Sequence, residues 1–258
     1  MYRRFALVAG LALAAATMLP ATASAEDTKD NAATQVKVLQ LNICHSGVAD
    51  CYSGDDSLNK AVEVIGETKP QVLSVNEACS GDVATLKQAM GAAKAKFVAA
   101  QRSDGSAVKC ENGEEYGNVI MVADEFNTGT PATGVYNDQD NGNEKRVWAC
   151  LPAGKLSACT THLSSDDGDV ALKQCKALLG RATDYAQRGP VVVSGDMNLK
   201  YDGDPDVQDC NPSGFYRKGD GDLQHVFATD NLTFADGQTI DMDGTTDHPG
   251  WLVTTNLG

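Results

Sequence analysis

The sequence predicts an α+β sandwich in which two packed, mostly antiparallel β-sheets are flanked by helices. Three observations carry this. Strand-like and helix-like segments are mixed, without the strict βαβα alternation of a doubly wound sheet. Several neighbouring strand segments follow each other through short turns of the hairpin kind. The run "VVV" at 191–193 is apolar without alternation, the mark of a strand covered on both faces.

The elements follow in order. Residues 1–25 begin with Arg3 and Arg4, continue with an apolar run and end on Ala23-Ser24-Ala25. That is the pattern of a secretory signal peptide rather than of a spanning helix. No later stretch approaches the ~20 apolar residues a span needs. Residues 26–35 read as a flexible N-terminal tail, and 36–258 as a single domain without repeats or linkers. The expectation is a secreted, extracellular monomer with no stable membrane insertion.

"QVKVLQLNIC" (35–44) alternates and is β-rich, hence a strand. Residues 56–69 place Leu58, Val62 and Ile65 at helical spacing, with Pro70 just past the end. "PQVLSVNEAC" (70–79) is a second strand, 80–93 a helix, 96–102 and 116–123 further strands. A hairpin turning at Gly154-Lys155 joins 145–151 to 155–163. Residues 167–188 carry the longest helical pattern, with Val170, Leu172, Leu178 and Leu179 apolar. The segment 200–220 reads as loop, and 223–229 and 250–257 as the last strands.

Eight cysteines, an even number, accompany an export signal and favour disulfides over metal thiolates. Cys150 and Cys159 are equidistant from the turn at 154–155, so a hairpin sets them opposite each other. Eight cysteines allow 105 pairings, so the rest of the connectivity stays open; Cys44 with Cys51 would close a small loop, with Cys79–Cys110 and Cys175–Cys210 as the remaining guess. Zinc is the alternative, but no CxxC occurs. The net charge is −14, or −16 without Arg3 and Arg4. A chain this acidic repels phosphate at long range and argues against a purely electrostatic nucleic-acid binder. It suits a site whose negative charge a divalent cation offsets.

Polar residues gather at strand ends. Asn42 ends the first strand and Glu77 the second. His162 follows the hairpin, Asp196 and Asn198 end 191–195, and Asp247-His248 precede the last strand. Each has a bland reading as cap, edge or turn chemistry. Together they make a chemical set. A carboxylate with an amide oxygen suits Mg²⁺, histidines and a further Asp supply acid–base partners, and Asn and Arg can hold phosphoryl oxygens. That set describes metal-assisted attack of water on a phosphate ester.

The ordered motifs "LNI" (41–43), "VNE" (75–77), "YGNVIMV" (116–122), "TTHL" (160–163), "SGDMN" (194–198) and "TDHPGW" (246–251) resemble the endonuclease/exonuclease/phosphatase superfamily. The resemblance covers roughly 36–256. It implies a four-layered deoxyribonuclease-like fold, with Glu77 and Asn42 as metal ligands and Asp247 sharing that role. It implies that Asp196 orients or deprotonates the attacking water, that Asn198 holds the phosphate, and that His248 is base or transition-state stabiliser. His162 stabilises the phosphate or protonates the leaving group, and Asn118 lines the site. Arg146 reads equally as phosphate-facing or as a solvated strand residue. Members usually carry an Asp before the closing motif to orient the final histidine. Here Gln224 stands there, with Asp222 two residues earlier as a substitute, and His225 reads as structural.

The resemblance implies a secreted Mg²⁺-dependent phosphodiesterase, with Mn²⁺ or Ca²⁺ as alternative ions and nucleic acid as substrate. A phospholipid, as for a sphingomyelinase, or a small phosphate ester is the alternative substrate. Against the phospholipid stands the lack of an aromatic hairpin that would dock in a bilayer. A protein that keeps the fold and only binds is a third reading, supported by Gln224.

Overall fold

The first strand, β1 (Thr34–Asn42), shows how the interior is organised. Its residues alternate between two faces, and the face carrying Val36, Val38, Gln40 and Asn42 points into the space between two sheets. The computed structural model describes residues 1–2, 34–126 and 129–258. The signal-peptide and tail readings of 1–35 lie outside these, apart from Met1, Tyr2, Thr34 and Gln35, and the last two already belong to β1. The described residues from 34 onward belong to one compact unit.

After β1 come α1 (Asp56–Thr68), β2 (Val72–Cys79), α2 (Asp82–Met90), β3 (Ala93–Ala99), β4 (Tyr116–Ala123), β5 (Ala132–Val135), β6 (Val147–Leu151) and β7 (Ser157–His162). The chain continues through α3 (Gly168–Ala186), β8 (Val191–Asp196), β9 (Phe215–Gly219), β10 (Gln224–Thr229), β11 (Leu232–Ile240) and β12 (Gly250–Leu257). One sheet has the order β11-β12-β1-β2-β4-β3, the other β5-β6-β7-β8-β10-β9. Each has one parallel pair at its centre, β1 with β2 and β7 with β8, and each pair is joined through a helix. The other pairings are antiparallel. This is the sandwich expected.

Three apolar clusters separate four layers. Leu39, Leu41, Leu73, Val75 and Met121 pack under α1 and α2. Val36, Val38, Val72, Val122, Val192 and Val226 fill the space between the sheets. Val191, Val193 and Phe227 pack against Leu178, Leu179 and Ala182 of α3. The buried stripe of α1 is Ala61, Val64 and Ile65 with Leu58 beside it, so Val62 lies at its margin. The stripe of α3 likewise runs through Ala171, Cys175, Leu178 and Ala182, one residue off Val170 and Leu172.

The intersheet face changes character along its length. It begins as valine and alanine. It then becomes hydroxyl, where Ser74 Oγ lies 2.6 Å from Thr160 Oγ1 in the facing sheet. It ends as amide and ionisable groups: Asn42, Asn76, Asn118, His162, Asp196 and Gln224. Gly195 is required by the close approach of β7 within its own sheet, since a Cβ there would clash with the Thr161 carbonyl oxygen.

All eight cysteines are paired, as Cys44–Cys51, Cys79–Cys110, Cys150–Cys159 and Cys175–Cys210. The zinc-thiolate reading is thereby overturned. Cys150 and Cys159 face each other in the β6–β7 ladder, as the hairpin spacing requires. Strands β5, β9 and β11 escaped the sequence reading. All three are sheet edges, and short or polar strands are the usual form of an edge.

Asn76 is buried at the centre of the polar end. Its Oδ1 accepts from the Asp196 backbone N–H (2.8 Å) and from Gln40 Nε2 (2.7 Å), and its Nδ2 donates to the Thr161 carbonyl (2.9 Å). Replacing Asn76 by Ala strands several buried polar groups at about 1–3 kcal/mol each. A loss of about 3 kcal/mol in denaturant unfolding is expected, and a loss below about 1 kcal/mol would show that these bonds do not tie the sheets. A second buried polar unit is His45, whose Nδ1 lies 2.9 Å from Asp82 Oδ2 and Nε2 3.4 Å from Asp55. The Asp82 hydrogen bond raises its pKa above 6.5 against the cost of burial. The raised value means that the stabilisation is complete below about pH 6.5 and is lost as pH rises through the folded-state pKa. His45→Gln should remove this segment from the pH dependence of Tm.

Candidate active site

The carboxyl ends of the two central parallel pairs meet on one side of the sandwich. Asn42 ends β1, opposite Asn76 in β2, and His162 ends β7, opposite Asp196 in β8. Glu77 enters by a local distortion. The β2–β4 register shifts between Val75 and Ala78, and Glu77 takes φ 57°. A bulge of this kind re-aims a side chain. Cys44 (φ 46°) and Asn198 (φ 47°) adopt the same left-handed region just past their strands. Such backbone is costly for side-chain-bearing residues and clusters at functional sites.

These residues surround a cavity of about 440 Å³, lined by Glu77, His162, Asp196, Asn198, Asp247, His248 and Arg146 among others. Asn42 stands behind its floor. Its Nδ2 donates to Glu77 Oε1 (2.9 Å) and to Asp196 Oδ2 (3.1 Å), while its Oδ1 accepts from the Cys44 backbone N–H (3.1 Å). The amide thus holds two carboxylates together and turns its oxygen away from them. Burial raises the Glu77 pKa, the Asn42 hydrogen bond opposes this, and the Asp196 charge raises it further. Asp196 also accepts from Gln224 Nε2 (2.8 Å) and from the Asn198 backbone N–H (3.1 Å). Asn198 donates its Nδ2 to the Leu163 carbonyl (3.0 Å).

His162 is buried, and its Nδ1 has no hydrogen-bond partner and lies 4.0 Å from Glu77 Oε1. Burial drives its pKa well below 6.5, with Arg146 and His248 adding to the effect, so the ring is neutral at neutral pH. His248 Nε2 lies 3.5 Å from Asp196 Oδ2 and 3.7 Å from Asp247 Oδ1, whose side chain is exposed at the cavity mouth. Arg146 is buried, with Nη1 on Glu144 (2.9 Å) and Nη2 donating to Ser165 Oγ (3.0 Å). The reading of Arg146 as a solvated strand residue therefore fails. Asn118 does not line the cavity. Its Oδ1 accepts from Asn76 Nδ2 (2.9 Å), one row behind the wall. Asp222 pairs with Lys200 in an exposed position and does not substitute for Gln224. His225 is structural, with Nε2 on the Leu199 carbonyl (2.9 Å) and a pKa pushed down to about 4 by burial.

Sequence reasoning missed Lys109, Tyr116, Glu144 and Ser165, which also line the cavity. Tyr116 was within a quoted motif, and Glu144 is two residues from Arg146. Lys109 carried no signal. An adjoining cavity of about 510 Å³ shares Val108 and Glu144 with the first and is lined further by Arg102, Asp104 and Asn143.

The residues fit a hard divalent cation. Two carboxylates share one amide donor at the cavity wall, and Mg²⁺ is held by one or two carboxylates with waters completing its shell. Glu77, with Asp247 at the mouth, would hold it, and Asp196 stands beside Glu77 on the shared Asn42 amide.

No family model and no curated protein matches the sequence. Solved structures do. The chain is similar to an endonuclease/exonuclease/phosphatase from Bacteroides vulgatus, 17% identical, with 87% of this chain and 100% of that chain covered at TM-score 0.64. It is similar to D. rerio TDP2 complexed with single strand DNA product, 16% identical, covering 86% of this chain and 99% of that chain at TM-score 0.65. An endonuclease/exonuclease/phosphatase from Beutenbergia cavernae is 19% identical, with 87% and 72% covered at TM-score 0.62. The chain has the deoxyribonuclease-like sandwich fold of the endonuclease/exonuclease/phosphatase proteins.

A divalent ion held at this site stabilises the native state by about 2.7 kcal/mol when present at about 100 times its Kd. Glu77→Gln should abolish the rise in Tm with added Mg²⁺ while leaving the Tm in EDTA within a few degrees of the parent. An unchanged Mg²⁺ response would remove Glu77 from the metal site.

Proposed function

We propose that the chain is a divalent-metal-dependent phosphodiesterase that acts outside the cell on nucleic acid. The observation that carries this reading is the convergence of Glu77, His162, Asp196 and His248 on one cavity, from both sheets. Each strand end alone has a turn or capping explanation. Their meeting at one cavity, with a buried unpartnered imidazole nitrogen and a left-handed Glu77, has none from packing.

In this reading Glu77 and Asp247 would hold a divalent ion, taken to be Mg²⁺, which when bound would offset negative charge on the phosphate. Asp196, held in place by Asn42, Gln224 and the Asn198 N–H, orients the attacking water and takes its proton. Arg146 and the neutral His162 face the phosphoryl oxygens from the β6–β7 side, where His162 steadies charge as it builds. Asn198, whose Nδ2 bonds the Leu163 carbonyl beside His162, holds the phosphate from the adjoining β8 edge.

Nucleic acid is favoured by the cations. The protein is strongly acidic overall, yet Arg146 and Lys109 line the cavity and Arg102 lines its neighbour. They supply cationic contacts for successive phosphates, among lining carboxylates whose charge a divalent ion would offset. The D. rerio structure with a single strand DNA product supports the same choice. A phospholipid substrate has less support. Among the described residues, Val48 is the one exposed large apolar residue lining this cavity, and no helix is long and apolar enough to cross a membrane. Four disulfides support an oxidising, extracellular setting. A single-chain site supports a monomer.

Supercoiled plasmid nicking by the oxidised protein tests the proposal. Nicking should require Mg²⁺, stop in EDTA and fall by about 10²–10⁴-fold in His162→Ala. A folded, Mg²⁺-supplied protein that nicks neither DNA nor RNA would sink the nuclease reading.

A further inference from the structure

Where the resemblance places an Asp, this chain has Gln224, and the direction in which its amide points can be derived from the backbone. The Asp196 N–H is a donor with no alternative, and it meets Asn76 Oδ1 at 2.8 Å. That fixes which end of Asn76 is oxygen, and its Nδ2 correspondingly meets the Thr161 carbonyl at 2.9 Å. Gln40 then meets the Asn76 oxygen at 2.7 Å and the Leu41 carbonyl at 3.1 Å, so that atom of Gln40 is nitrogen. The same nitrogen lies 3.0 Å from one end of the Gln224 amide, and a donor there, with the Asp196 carboxylate at the other end, makes the near end oxygen. The other end of Gln224 is nitrogen. It donates to Asp196 Oδ2 at 2.8 Å, a carboxylate oxygen that demands a donor, and it faces His248 Nδ1 at 3.4 Å. Backbone N–H and C=O groups set Asn76 and Gln40, and the Gln40 amide nitrogen together with the Asp196 carboxylate sets Gln224.

An Asp at this position would accept a hydrogen from His248 Nδ1 and leave Nε2 bare. Gln224 does the reverse. Its N–H faces Nδ1, so the neutral ring keeps its proton on Nε2. We infer that Gln224 is a positioning residue that holds His248 as the Nε2–H tautomer, so that the ring presents a hydrogen-bond donor to the cavity. The groups facing Nε2 are acceptors, Asp196 Oδ2 at 3.5 Å and Asp247 Oδ1 at 3.7 Å, which agrees with a proton there. The role this gives His248 rests on the phosphodiesterase reading. The ring donates to a phosphoryl oxygen as charge gathers on it, and Asp196 is left as the group that takes the proton from water. Substitution by Gln is then a different way of running the same site and not a sign of its decay.

The test is nuclear magnetic resonance of ¹⁵N-labelled, full-length oxidised protein in EDTA, at a pH above the ordinary histidine range so that the rings are neutral. His248→Gln identifies the His248 signals among those of four histidines. The expected result is a protonated Nε2 and a bare Nδ1, with a nuclear Overhauser contact between the Gln224 amide hydrogens and His248 Hε1. A proton on Nδ1, or absence of that contact, overturns the inference, and neither observation needs a Gln224 variant to fold. Gln224→Glu replaces the donor by an acceptor. In a folded variant it should move the proton to Nδ1 and lower kcat for phosphodiester hydrolysis about 10²-fold. A folded variant that keeps Nε2–H overturns the role given to Gln224. Hydrolysis is measured in parallel with Mg²⁺. A protein with the expected tautomer and no hydrolysis counts against the phosphodiesterase reading alone, and one that hydrolyses with its proton on Nδ1 counts against this inference alone.

Discussion

The hydrogen bond from the Asp196 backbone to the Asn76 side chain is the contact on which the polar half of the interior depends. It crosses from one sheet to the other, and it orients an amide that in turn orients Gln40 and Gln224. A net hydrogen bond is worth only about 1 kcal/mol, but a buried group left without one costs more. The asymmetry makes the array specific: any other alignment of the two sheets leaves amides facing amides of the wrong sense. Bonds in a buried chain also polarise each other. The carboxylate of Asp196 is thereby fixed in place from behind, before any ligand arrives.

The rest of the intersheet face follows from the same constraint. Polar groups can be buried only where partners reach them. In the valine region the sheets are held by packing alone, and Ser74, meeting Thr160 Oγ1 and donating to the Ser194 carbonyl, marks the change to directed contacts. Beyond them stand the amides and then the ionisable groups at the cavity. The site is thus the solvent-facing end of a gradient and is continuous with the core. The left-handed backbone of Glu77 and Asn198 is held by the hydrogen bonds of this base, which over-determine it.

Much of this was legible in the sequence. The apolar run 191–193, the helical spacing of 167–188 and the symmetric placing of Cys150 and Cys159 each report a local rule, and each element formed. The strand-end polar residues could be listed because a break in an apolar pattern is visible along a single chain. What could not be read were properties that belong to pairs of distant residues. Strands β5, β9 and β11 are edges, the first two half-buried and the last largely exposed, so they lack the pattern that full burial of one face imposes. Lys109 reaches the cavity from a loop between β3 and β4. Arg146 looked like either a surface or a site residue until Glu144 and Ser165 closed around it. Gln224 could be identified as a departure, but which end of its amide faces the histidine is decided by Asn76, nearly 150 positions away in the chain.

The two sheets repeat one plan. Each sets a parallel pair bridged by a helix between antiparallel neighbours, and each brings its acid near the end of the second parallel strand, Glu77 from one and Asp196 from the other. Neither half carries the pair. During folding, a sheet that forms early holds a lone carboxylate and a row of unmatched amides. The cavity comes into being only when the halves dock, in the same event that closes the valine layer. The site therefore exists only where both sheets are formed and docked against each other, and either sheet alone holds only part of it.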